Sequence, residues 1–209
     1  MMDKAEILDL VFMVLALIFT VVSHELAHGY VALLNGDKTA QRAGRLSFNP
    51  IKHLDLMGAL FLIVFKFGWA KPVPINERNF KNRRLGLFLV SIAGVSVNLV
   101  TSIISILILI LVGEKIGVFS ILFSYLAIYG LFFCVFNLIP IPPLDGSKVL
   151  ASFLPEKFQY VIYKYERYFV VLLVAFLAYN SQTGFISKIV LSLRNTIIEI
   201  LLNILGLIW

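Results

Sequence analysis

The sequence predicts an all-α, polytopic membrane protein of about five to six hydrophobic segments, with a re-entrant or interfacial element and room for short β-strands near the functional site. Three observations predict it. Apolar residues make up 60% of the 209 positions, against roughly 45–50% in soluble domains. They gather into runs long enough to cross a bilayer, near residues 7–34, 85–112 and 118–138. The basic residues collect in the loops between those runs, as the positive-inside rule and anionic headgroups require. The net charge of +6 (Lys plus Arg 18, Asp plus Glu 12) therefore speaks for a lipid surface and not for nucleic acid. No low-complexity stretch or internal repeat divides the chain, so residues 1–209 are expected to form one integral-membrane domain, with a functional core over about 7–150 and C-terminal helices over 151–209. The start, Met1-Met2-Asp3-Lys4-Ala5-Glu6, lacks a basic n-region and a small-residue cleavage site, and is expected to remain as a transmembrane start.

The first segment carries Ser23-His24-Glu25-Leu26-Ala27-His28 in its second half. Two histidines four apart lie one above the other on a helix face. Neutral imidazoles at that spacing can hold one Zn²⁺, and the intervening Glu25 can take a proton from a water that the metal activates. Such polar groups inside an apolar span mark a functional site unless they merely snorkel to the interface. With only three histidines and a single cysteine, Cys134, an internal disulfide, a Cys-based zinc site and a histidine-rich di-iron centre are all excluded.

Gly36-Asp37 ends the segment. The loop over 37–55 holds Lys38, Arg42, Arg45 and Lys52 against Asp37 and Asp55, and should face the cytoplasm. Within it, Arg45-Leu46-Ser47-Phe48 alternates polar and apolar before Asn49-Pro50; this suits either a short strand at 44–48 or a plain interfacial loop. The second hydrophobic segment, 56–69, is shorter than the ~20 residues a crossing needs. It is flanked on both sides by basic residues, so a re-entrant or interfacial element is expected there. Ala70-Lys71-Pro72-Val73-Pro74-Ile75-Asn76 is too proline-rich for a helix.

The third segment contains Ser91, Ala93, Gly94, Ser96 and Asn98, with Gly94 and Asn98 on one face. Small residues plus an amide favour close helix packing; substrate contact by Asn98 is the lesser reading. The fourth ends in Asn137-Leu138-Ile139-Pro140-Ile141-Pro142-Pro143-Leu144-Asp145-Gly146. Those prolines cannot continue a helix, and unwound backbone at membrane depth belongs inside protein or beside a cavity. A carboxylate delivered there needs a partner, which makes Asp145 the natural third zinc ligand; the competing reading is a Pro-Asp-Gly turn at the surface. The three ligands must share one depth. Segment one delivers its motif to the basic side, and segments three and four return the chain to that side, provided that segment two does not span. Beyond 150, residues 156–179 suggest one helix with a charged, aromatic base. The last segment has a polar stripe (Lys188, Ser192, Asn195, Glu199, Asn203) that suits an interfacial or an inward-facing helix.

Together the motifs resemble the site-2 protease family, the M50 intramembrane zinc metalloproteases, in a short form without PDZ or CBS domain. The matching pieces are His24 through His28, Gly44 through Asp55, Gly68 through Asn76, Ala93-Gly94 with Asn98, and Asn137 through Gly146. The resemblance implies one zinc per chain on His24, His28 and Asp145, Glu25 as catalytic base, and Asn137 in the active site, helping to hold the substrate or its transition state. It also implies a transmembrane protein as substrate, cleaved within or near a membrane helix, in a multi-pass cell-membrane protein whose site opens toward the cytosol. The chain departs from the family at Val95 (usually proline), Ser147-Lys148 (often Gly-Arg) and Leu56 (commonly proline), none of them a proposed ligand. His53 matches a family position but reads as structural. The rival readings are a transporter, a non-catalytic membrane scaffold with a bound metal, or a metal-storage protein. A transporter should show paired broken helices, and the chain has one; a scaffold or store has no need of Glu25.

Overall fold

The computed structural model describes residues 3–56, 58, 70–113 and 115–207, which form helices, two short 3-10 turns and no β-strand. Helix α1 runs Lys4–Leu34. It starts where Asp3 and Glu6 each accept a hydrogen bond from the other's backbone N–H, at 2.8 and 2.9 Å, a reciprocal cap that satisfies two N-terminal donors. After α1 come a single turn, α2 (Thr39–Arg42), and a 3-10 turn at Pro50–His53 capped by the Asn49 side chain. A second 3-10 turn at Glu77–Asn79 leads into α3 (Arg83–Val112), where Asn82 Oδ1 accepts from Leu85 N at 3.0 Å. Then follow α4 (Phe119–Asn137), α5 (Asp145–Phe153), α6 (Glu156–Lys164), α7 (Glu166–Thr183) and α8 (Phe185–Ile204).

Among the described residues three helices, α1, α3 and α4, are long and apolar enough to cross a membrane. They pack on one another, with α5 laid against α3 and α8 against α4. Their outward faces expose Ile7, Leu15, Phe19, Val100 and Ile104, the apolar exterior that a lipid-immersed helix needs. In lipid such helices gain little from burying apolar area, so close contact and polar bonds decide their association. Ser102 supplies one bond, its hydroxyl donating to the Ala127 carbonyl of α4 at 2.7 Å, worth about 0.6 kcal/mol in a bilayer. One turn further along α4, Leu131 packs with Ile186 and Val190 of α8.

Two expectations are corrected here and one lies outside the described residues. Residues 44–48 form no strand. The N–H groups of Gly44 and Arg45 return to the Gln41 and Ala40 carbonyls at the end of α2, and Ser47 N turns back onto Arg45 O. With those donors used locally, residues 44–48 join no ladder; among the described residues the β-pairing observed is an isolated bridge between Leu54 and Ala70. The single helix expected over 156–179 is two, α6 and α7, because Tyr165 leaves helical geometry between them (φ −102°, ψ 8°). The expected re-entrant element at 56–69 lies outside the described residues apart from Leu56 and Gly58.

The loop before α3 is tied to the end of α1 by Asp37, which is fully buried. Its carboxylate accepts from Thr39 N and Oγ1, from Asn76 N at 2.7 Å and from Asn79 Nδ2 at 2.8 Å. Burial alone would raise the pKa of this acid; the Asn76 amide, the Asn79 side chain and Thr39 outweigh it and hold the carboxyl below its ordinary value. The knot fixes the 70–76 segment over the second half of α1.

Candidate metal centre

His24 and His28 stand one turn apart on α1, both buried, their rings edge to face with centroids 4.5 Å apart. Their Nε2 atoms are 3.0 Å from each other. Asp145, also buried, opens α5 directly after the proline-rich break. Its Oδ2 lies 3.1 Å from His24 Nε2 and 3.0 Å from His28 Nε2. The break can deliver it there because residue 146 is glycine: a Cβ at that position would collide with the Leu138 carbonyl. On the other side of the rings α3 passes equally close. A Cβ on Gly94 would come within 2.6 Å of His24 Cε1 and of His28 Nε2.

The three ligand atoms lie within 4.8 Å of one another. Two imidazole nitrogens and one carboxylate oxygen form a donor set suited to a borderline divalent metal, with a fourth position left over. Tetrahedral ligand atoms bound at about 2.1 Å stand roughly 3.4 Å apart, so the observed 3.0–3.1 Å edges need open by only a few tenths of an ångström to admit an ion. Apart from the two Nε2 atoms, buried Asp145 Oδ2 has no neighbour to bond, so the three lone-pair atoms converge on one another as ligands of a shared cation would. The residues present therefore fit a metal.

The surrounding contacts orient the set. His28 Nδ1 sits 2.6 Å from the Val90 carbonyl of α3. A carbonyl can only accept, so the proton is on Nδ1 and the Nε2 lone pair faces the cluster. His24 Nδ1 lies 3.0 Å from the side-chain amide of Asn98. Glu25, half-buried between the two histidines, accepts from Val73 N at 2.8 Å through Oε2. Lys148, one turn along α5, brings Nζ to 3.8 Å from Asp145 Oδ1.

The structure thus brings His24, His28 and Asp145 together, with Glu25 on the same stretch of α1. It does not bring Asn137 into that hydrogen-bonded group: at the end of α4 its Nδ2 donates to Phe133 O at 3.0 Å. His53 is buried apart from the cluster, Nε2–H donating to Ser47 O at 2.8 Å.

A family model described as peptidase family M50 matches residues 114–179, which contain Asn137 and Asp145. A protein of Bacillus subtilis (strain 168) named "Putative zinc metalloprotease YwhC" is 42% identical over 174 residues, covering 79% of this chain and 80% of that protein. The chain belongs to peptidase family M50. No solved structure matches it.

For this M50 chain, motif spacing alone did not point to the contacts that orient the cluster. Val90 acts through its backbone carbonyl and Val73 through its backbone N–H, and neither leaves a mark in residue type. Asn98 did leave one: an amide four residues after a glycine in an apolar span. Packing is part of its role, but its side chain ends on a histidine.

Proposed function

We propose that this M50 chain is an intramembrane zinc endopeptidase that hydrolyses peptide bonds within or near transmembrane helices of other membrane proteins. One Zn²⁺ per chain would be held by His24, His28 and Asp145. The observation that supports this most directly is the meeting of three ligand atoms within 4.8 Å, drawn from α1 and α5, with Glu25 between the two histidines. A bound zinc supplies Lewis acidity to a water and to the scissile carbonyl.

The chain's own residues then do the following. His28 keeps its proton on the Val90 carbonyl and presents Nε2. Glu25 is anchored at Oε2 by the Val73 amide, which leaves Oε1 to take the proton of the attacking water and pass it to the leaving amine. Asn137 is the proposed donor to the developing oxyanion, for which its Nδ2 must leave Phe133 O; one such donor is worth about 3–4 kcal/mol. The substrate helix must unwind to expose its carbonyl. The protein is proposed to cross the membrane several times through its three long helices, with the site wetted from the cytosolic side onto which the basic loops are proposed to open.

The test compares zinc content and cleavage of a transmembrane substrate by purified wild type and Glu25→Gln. Zinc retained with cleavage abolished is the expected result. Equal cleavage by both removes Glu25 from the chemistry. A folded wild type that binds zinc and cleaves nothing points to the scaffold reading. Asp145→Ala should lose zinc; full occupancy would mean a different third ligand.

A further inference from the structure

We infer that Asn98 is a positioning residue of the metal centre: its side-chain oxygen accepts the Nδ1–H of His24 and so selects the ring tautomer that leaves Nε2 free to bind zinc. The inference rests on the zinc reading above and concerns a residue outside the ligand set.

Asn98 has no exposed surface. It stands one helical turn after Gly94, at the point where α3 crosses the two histidines. Its amide is 3.0 Å from His24 Nδ1, with Nδ2 as the nearer end, and its Oδ1 is buried with no hydrogen-bond partner. As oriented, the amide donates to Nδ1. A neutral ring that accepts at Nδ1 carries its proton on Nε2, and Nε2 is the atom that faces His28 and Asp145. That proton occupies the lone pair a metal needs. A half-turn of the amide exchanges two ends of nearly equal size. It puts Oδ1 on Nδ1 and gives that oxygen a donor, the NH2 group taking the unpartnered place, and it moves the ring proton away from the cluster. His28 is already fixed in the same sense by the Val90 carbonyl. With Asn98 turned, both rings carry their protons on acceptors of α3, and both Nε2 atoms point into one site. Ligating histidines are held in this way by an acceptor on the far nitrogen.

The experiment uses the full chain, purified in detergent, and measures zinc affinity by chelator competition beside thermal unfolding. Asn98→Leu keeps the size and removes the acceptor; zinc affinity should fall about 10- to 100-fold. Asn98→Asp keeps an acceptor at either end and should bind within about threefold of wild type, or tighter. A residue needed only for packing gives the reverse order, since Leu suits an apolar helix contact and a buried Asp does not. Unchanged affinity in Asn98→Leu overturns the inference, as does an Asn98→Asp variant weakened as much as Asn98→Leu. A reading on the wild type needs no variant to fold: with ¹⁵N-labelled histidine and zinc bound, His24 should show a protonated, slowly exchanging Nδ1. A His24 ligated through Nδ1, or carrying its proton on Nε2, overturns the inference while leaving the zinc site standing. A folded wild type that takes up no zinc removes both.

Discussion

A methyl group on Gly94 would lie 2.6 Å from atoms of both imidazoles, and neither ring can retreat, because Val90 and Asn98 hold their far nitrogens. Gly94→Ala should therefore cost about 1–3 kcal/mol of stability by overpacking and lower zinc occupancy with it, read by metal analysis and thermal unfolding. Full occupancy at an unchanged midpoint would show that α3 can draw back. Glu25, the proposed base, has its own support. Pro72 and Pro74 carry no N–H, so Val73 is the one donor in that tripeptide, and it is used on Glu25. Val73→Pro removes the donor. Zinc content should persist while kcat falls on the order of 10- to 100-fold, the usual effect of letting a reacting group drift by about an ångström. A variant with normal kcat would make the contact incidental.

At the scale of elements, the Asp37 knot decides where the 70–76 segment lies. Because the folded pKa of Asp37 is lowered from 3.8, its contribution to stability is fully present above that value and fades as the pH falls through the lower, folded one. Asp37→Asn should cost about 1–3 kcal/mol at neutral pH and flatten the acid limb of the stability curve. An acid limb unchanged from wild type would assign acid sensitivity to other carboxylates. The long helices were legible in the sequence to within two or three residues, since a sustained apolar run admits few alternatives in a bilayer. The shorter pieces were not. The 44–48 alternation follows the period of a strand, yet its amides close turns onto α2. The break at Tyr165 carries no proline or glycine to announce it. The meeting of His24, His28 and Asp145 was readable because polar groups in an apolar span, or delivered beside one by a proline break, demand a partner. Their backbone partners were not, since any residue type can supply a carbonyl or an amide.

For the whole molecule, the cluster joins α1 to α5 across α3. A metal held there by native ligands stabilises the assembled bundle by mass action, about 2.7 kcal/mol at a free zinc concentration 100 times its dissociation constant. Chelation should lower the unfolding midpoint of wild type and leave that of Asp145→Ala where it is, as measured by thermal scans with and without added zinc. Equal shifts in both would place the stabilising ion elsewhere. The connection between α3 and α4 divides the cluster unevenly: one half of the polypeptide owns both imidazoles and Glu25, the other owns the Asp145 carboxylate. Two separately translated fragments, cut at that connection, would each be inert and weak for metal. Co-inserted in one bilayer, they should complement each other, making uptake of the ion a reporter of reassembly.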